Sequence, residues 1–434
     1  MIKMKTMTER FNIKQWFLIS LLLRLIVMPF TMHDDMMFIY RIPHLLLHSE
    51  LDVYGISVEQ FHSHYYPPFA LIFFAFIQFI LGFLFPGFEE FTHAIGLLET
   101  KALYEAEHFY LSVFLMKLPY LFFDCFLILV CWRMLPSNKS KLNFTIFWAV
   151  NPLVIYTTFM FGQFDLIPAF FVVLACYFSL QRGREQYACL CIASGCLFKV
   201  FPIVFLPVVL LISSRNIKDF FRFSLYGIVP VLFFYGVFYL ISGEATLRLF
   251  SAFSYNTKMF IDFKTVILRF SQATVYILLC IHLILYKREQ LNYTIIIQYF
   301  LVIYLAIYWG LQLSSTHYLT WFVPFLILYV QQRSDWKKPF YFLLLIIFLD
   351  GLKPRTGCLG IFAPINPEFF LSLPSLKDVT GFLFDQKTYD LTIGLLFKGV
   401  TGLWVLAILK NLYKTSEWST IDNLINKSIF KKYS

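Results

Sequence analysis

The chain has 434 residues, 59% of them hydrophobic and 14% charged, with a mean hydropathy of +0.69. Those values exclude an ordinary soluble globular protein. The net charge of +10 does not point to a nucleic-acid partner, because the Lys and Arg residues sit in short segments between apolar runs, where they report membrane orientation.

Apolar runs of membrane-spanning length recur from end to end, so the sequence predicts an all-α, polytopic helical bundle with no separate soluble domain. Cys125, Cys131, Cys176, Cys189, Cys191, Cys196 and Cys280 lie within such runs and read as small core residues. No Cys pair has the spacing of a zinc site, and no disulfide, metal or cofactor is expected. Asp34 with Asp35 and His62 with His64 are the positions where a divalent metal would otherwise be sought.

Residues 1–15 carry Lys3, Lys5, Arg10 and Lys14 and are expected in the cytoplasm. The first span, 16–30, is read as uncleaved. Arg24 interrupts it and needs a partner or a snorkelling route. Residues 31–68 are too polar to span and form an outer loop with Asp34, Asp35, Tyr54, His62, His64, Tyr65, Tyr66, Pro67 and Pro68. The apolar run 69–85 is awkward. If it crossed, the acidic stretch 87–108 would lie inside and the basic one around Lys139 and Lys141 outside, against the positive-inside rule. A re-entrant or interfacial role is therefore expected for 69–85, with a real crossing and a return elsewhere as the alternative, followed by a span at 109–131.

Downstream, the runs 144–160 and 166–180 form a hairpin whose tip is Phe161, Gly162, Gln163, Phe164 and Asp165. Arg182, Arg184, Arg215, Lys218 and Arg222 fall inside, so 187–213 crosses twice, as two short helices meeting near Phe198, Lys199 and Pro202. Further spans are expected at 223–242, 266–286, 292–310, 320–332, 339–350 and 391–410, about twelve crossings in all. The outer loops are then 31–108, 243–265, 311–319 and 351–390. The four glycosylation sequons, at Asn138, Asn143, Asn292 and Asn426, fall inside.

This topology collects Asp34, Asp35, His62, His64, Lys117, Gln163, Asp165, Lys199, His317 and Tyr318 on one membrane side, a polar cavity between helices. Each has a plainer reading. Asp34 and Asp35, or Gln163 and Asp165, would cap helices. Lys117 and Asp124, seven residues apart on one helical face, would form a structural pair. Lys199 would snorkel, Tyr65–Pro68 would be a rigid turn, and His317 an interfacial anchor. A transporter is the competing class for such intramembrane charges, although no matching halves are visible.

The order of these motifs resembles the GT-C glycosyltransferases: Asp34 and Asp35 after the first span, Tyr54, Tyr66-Pro67-Pro68, Lys117 and Asp124, Asn151-Pro152, Gly162-Gln163-Phe164-Asp165, Lys199 with Pro202, and His317-Tyr318-Leu319-Thr320-Trp321 before Pro324. It is most similar to the polyprenol-phosphate-mannose mannosyltransferases, including relatives of the second mannosyltransferase of glycolipid-anchor synthesis. The dolichol-phosphate-glucose glucosyltransferases are similar in layout but typically carry His where this chain has Gln163. The resemblance covers about 14–330 of a single 1–434 membrane domain, with 331–434 as C-terminal helices and an outer loop.

The resemblance implies inverting transfer of a hexose, mannose first, from a polyprenyl-phosphate-linked donor to a lipid-linked or glycan acceptor. The site would lie on the non-cytoplasmic face of a bacterial cell membrane or the endoplasmic reticulum. It implies a base at Asp34 or Asp35, with Asp34 slightly preferred. Donor phosphate binding would fall to Lys199 and then Lys117. Sugar or acceptor contacts would come from Gln163, Asp165, His317, Tyr318, Tyr66 and His64. The isoprenoid tail would lie among helices, in contact with membrane lipid.

Overall fold

The computed structural model describes residues 12–48, 50–56, 66–97, 103–247, 263–285, 290–311, 316–332, 341, 359–374, 378–379 and 386–415. All the regular structure among these residues is helical, with no strand. The helices are α1 (Ile13–Val27), α2 (Asp35–Leu47), α3 (Pro68–Leu84), α4 (Pro86–Leu97), α5 (Phe109–Met134), α6 (Asn138–Ala149) and α7 (Pro152–Met160, mostly a π-turn). They continue as α8 (Leu166–Phe178), α9 (Glu185–Cys196), α10 (Leu206–Ser213), α11 (Ile217–Ser242), α12 (Phe263–Leu285), α13 (Tyr293–Leu311), α14 (Val323–Gln332), α15 (Pro367–Ser372) and α16 (Gln386–Thr415). Four 3₁₀ turns interleave among the described residues, at Phe201–Phe205, Gly243–Leu247, Thr316–Trp321 and Leu359–Phe362.

Local sequence explains the breaks. Asn12 and Gln15 cap each other reciprocally at the start of α1, and Ser137 and Ser140 do so at α6. Asn151 accepts from the amides of Leu153 and Val154, and Pro152 occupies the first helical position, so the run 144–160 is two helices bent by 46°. Gly162 has φ +87°, and a Cβ there would meet Met36 Sδ at 2.5 Å. Only glycine fits that turn. The expected division of 187–213 falls between Cys196 and Phe201, where α9 stops and a 3₁₀ turn leads to Pro207 of α10.

Among the described residues, two helices are long and apolar enough to cross a membrane, Phe109–Met134 and Ile217–Leu247. The bent pair α6–α7 makes a third if it counts as one span. Pro68–Leu84, Leu166–Phe178, Phe201–Ser213, Phe270–Leu285 and Tyr293–Ile307 are shorter apolar helices. On α11, Leu225, Val229, Leu232, Phe233 and Leu240 are exposed, an apolar surface that suits lipid rather than water. The chain is thus an integral membrane helical protein. Its core is built where α8 packs on α5 and α9, α9 on α11, α2 on α3, α1 on α6, and α13 on α16.

The segment 31–68, expected as an outer loop, is not all loop among its described residues. Its residues Met36, Met37, Ile39, Tyr40, Ile42 and Pro43 bury as helix α2 against α3. The polar residues between them masked the apolar face. Residues 68–84 form one continuous helix of 17 residues, α3, about 25 Å long, and the chain turns at Phe85 into α4. The start of the acidic stretch 87–108 is also helical, as α4, packed on α2, α3 and α5. The run expected at 339–350 lies outside the described residues, apart from residue 341.

Candidate active site

Four breaks between helices converge. They are the α1–α2 turn, the α7–α8 tip, the α9–α10 break and the 3₁₀ turn Thr316–Trp321. Asp165, the residue before α8, is 1% exposed. Lys199 Nζ, from the α9–α10 break, lies 2.8 Å from each of its carboxylate oxygens. The indole Nε1–H of Trp321 donates to Oδ1, and His317 Nε2 lies 3.9 Å from Oδ2. Burial pushes the Asp165 carboxyl up, but Lys199 and His317 outweigh it and hold the group below its ordinary range. For His317, burial dominates and lowers the ring to about 4, so it is neutral at physiological pH.

The Lys199 ammonium also sits over the rings of Phe164 and Tyr318, at 5.0 and 5.3 Å. Trp321 is fixed by stacking on Phe201 at 3.6 Å. Asp165 and Lys199 are therefore neither a bare helix cap nor a snorkelling side chain, but a clamped ion pair.

One helix tip away, the Gln163 Nε2–H donates to Asp35 Oδ2 at 3.2 Å. Tyr66 lies beside the same amide. Gln163 Oε1 is buried and has no hydrogen-bond partner among the described residues. Asp35 is thereby joined to the Asp165–Lys199 pair through a three-residue stretch of chain. Asp34, its neighbour, makes no side-chain cap bond, and its electrostatic neighbours are His33, Asp35 and Tyr104. Burial raises the Asp34 carboxyl, His33 lowers it, and Asp35 raises it further.

Lys117 is placed differently from expectation. It is fully buried in α5, and its ammonium donates to the carbonyls of Met28, Thr31 and Met160, the last at 3.2 Å. An ammonium has three protons, and all are engaged by helix-end carbonyls. In this arrangement Lys117 braces the backbone under the site and offers no proton to a donor phosphate. Nor does it pair with Asp124. Asp124 binds Arg24 at 2.7 Å and the Trp148 indole at 2.7 Å, which supplies the partner Arg24 required.

His62 and His64 lie outside the described residues. Three residues to which the sequence assigned no role of their own stand in this cluster: His33, Phe161 and Trp321. The only signal was adjacency, of His33 to the acidic pair and of Trp321 one helical turn after His317. Among the described residues, no three His, Cys, Asp or Glu side chains are grouped to hold a metal ion.

A buried carboxylate–ammonium pair, a second carboxylate with an amide, and a neutral His thus come together where four helix breaks of a membrane protein meet. The sequence model of Glycosyltransferase family 87 matches residues 64–330, more than half of the chain, and the chain belongs to that family. It is therefore a glycosyltransferase, with a sugar donor and an acceptor. No curated protein and no solved structure matches the chain. Asp34 and Asp35 lie before the matched residues, and the turn Leu359–Phe362 after them.

Proposed function

We propose that the protein is an inverting hexosyltransferase that moves mannose from a polyprenyl-phosphate donor to a lipid-linked or glycan acceptor on the non-cytoplasmic membrane face. The observation that carries this reading is the joined pair of sites. Asp35 is tied to Gln163, and two residues along the same turn Asp165 holds Lys199.

Asp35 is the base. Its carboxylate takes the proton of the acceptor hydroxyl while the hydroxyl oxygen attacks the anomeric carbon. The bond from that carbon to the phosphate oxygen breaks, and the phosphate leaves with the electron pair. Lys199 meets the growing phosphate charge. Among the described residues its hydrogen bonds go to the two Asp165 oxygens, which leaves one of three ammonium protons for the leaving group. The unpartnered Gln163 Oε1 accepts from a sugar or acceptor hydroxyl, and Tyr66, His317 and Tyr318 line the same space. Geometry favours Asp35 over Asp34, because Asp35 alone of the two is bonded to the cluster.

The test is transfer of radiolabelled mannose from polyprenyl-phosphate-mannose into membrane lipid extract by the full-length enzyme. Labelled product is expected. Transfer only from the glucose donor would change the sugar. No transfer from either donor, with the acceptor supply verified, would overturn the proposal.

A further inference from the structure

The 3₁₀ turn Leu359–Phe362 lies far along the chain from the site and beyond the residues that match the family. It nevertheless docks on the site's tip. The Met32 N–H, in the α1–α2 turn, donates to the Ile361 carbonyl at 3.1 Å. The Tyr110 hydroxyl, at the start of α5, donates to the Pro364 carbonyl at 2.8 Å. Ile361 is 1% exposed and packs in a small apolar cluster of its own with Tyr156 and Phe161, separate from the main core.

Phe161 carries the contact onward. The His33 ring stacks on it at 3.7 Å, with 14° between the planes. His33 Nδ1 accepts the backbone N–H of Asp35 at 3.1 Å. That bond fixes the tautomer: Nδ1 presents its lone pair, so the ring's proton is on Nε2. His33 thus caps the first turn of α2, and the orientation of Asp35 depends on where the imidazole stands. Asp35 Oδ1 is 3.6 Å from the same nitrogen, while Oδ2 takes the Gln163 amide.

We infer that the segment 359–364 is a strap that positions the catalytic carboxylate, acting from Ile361 through Phe161 and His33 to Asp35. Ile361 is a positioning residue and touches no substrate. The inference rests on the reading of Asp35 as the base. A turn that merely covered apolar surface would need neither a backbone bond to Met32 nor contact with the ring on which His33 stacks. Removing the Ile361 side chain beyond Cβ opens a void behind Phe161, and the tip relaxes into it only in part. Small displacements of a reacting group are costly, since catalysis depends on near-attack geometry.

The experiment compares wild type, Ile361→Ala, Ile361→Val and Asp35→Asn as full-length proteins in detergent, below the unfolding temperature of each. The first readout is carbethoxylation of His33 by diethyl pyrocarbonate, mapped by mass spectrometry, with the exposed His48 and His93 as internal controls. His33 is expected to react several-fold faster in Ile361→Ala, at wild-type rate in Ile361→Val, and the controls should not change. The second is steady-state transfer with whichever lipid-phosphate donor the wild type accepts. A fall in kcat of about tenfold is expected for Ile361→Ala, with donor KM little altered and recovery in Ile361→Val.

An unchanged His33 rate, or an unchanged kcat, would overturn the strap. The His33 rate decides its structural half whatever the donor proves to be. Activity retained by Asp35→Asn would instead remove the base reading, leaving any His33 effect without a catalytic consequence and overturning the link to Asp35.

Discussion

The ammonium of Lys199 lies 2.8 Å from both carboxylate oxygens of Asp165, at 14% and 1% side-chain exposure. A pair this buried is strongly coupled. Lys199→Met leaves an uncompensated carboxylate, at a cost on the order of 3–5 kcal/mol of stability. Lys199→Met with Asp165→Leu removes both charges and should recover most of that loss, read as thermal unfolding in detergent. Transfer should stay absent in both variants, because the phosphate has lost its cation. A double variant that folds and transfers normally would show that the pair serves the scaffold alone.

The two adjacent carboxylates should behave differently. Asp35 is bonded to Gln163 and faces the cluster, whereas Asp34 has its electrostatic neighbours in His33, Asp35 and Tyr104. Asp35→Asn keeps the shape and the Gln163 contact but cannot take a proton, so kcat should fall by roughly a thousandfold or more. Asp34→Asn should keep activity within about tenfold of wild type, since a neutral amide there changes only the local field. The reverse ranking would move the base to Asp34.

Much of this site was readable in the chain. Asp35, Gln163, Asp165, Lys199 and His317 were each conspicuous as polar groups beside apolar runs, and their clustering follows from the cost of stranding such groups in a membrane protein. The α9–α10 break was equally visible, because basic residues on both sides of 187–213 demanded a double crossing. What periodicity could not provide was long-range pairing. Arg24 and Asp124 are a hundred residues apart, and Lys117 lay seven residues from Asp124 on the same helix face. The local rule offered the nearer partner, and packing chose the farther one. Helix α2 was hidden because its polar residues made a half-buried helix look like a loop. Ile361, one apolar residue in a stretch without motif, carried no signal at all.

The Arg24–Asp124 pair gives a prediction with no catalytic component. Both side chains are almost wholly buried, Trp148 adds a hydrogen bond to Asp124, and Arg24 also donates to the carbonyls of Ser20, Trp148 and Ala149. Arg24→Leu and Asp124→Leu should each destabilise the protein by on the order of 3–5 kcal/mol. The double variant should be much closer to wild type, although the freed carbonyls and the Trp148 indole keep it from full recovery. Transfer per folded molecule should be unchanged in the double variant. Strictly additive losses in the unfolding temperatures would show that the two charges do not stabilise each other.

His317 sets a pH dependence whose sign follows from its surroundings. Burial lowers its ring from 6.5 to about 4, with Asp165 pulling the other way and Lys199 adding to the lowering. Above pH 6.5 the ring is neutral in both the folded and unfolded chains, and the contribution to stability is complete. Between pH 6.5 and about 4 only the unfolded chain takes up the proton, so stability falls as the pH falls, by at most about 3 kcal/mol from this residue. Below about pH 4 both forms are protonated and the loss levels off. His317→Gln should therefore flatten the unfolding temperature against pH across that window. His44, also lowered to about 4, and His33, lowered by burial, contribute with the same sign and should leave a residual slope. Asp165, held below its ordinary range of 3.8, loses its contribution only at more acid pH and does not enter the window. A His317→Gln profile parallel to wild type between pH 6.5 and 4 would mean that the ring is already charged in the folded protein, paired with Asp165 as an imidazolium.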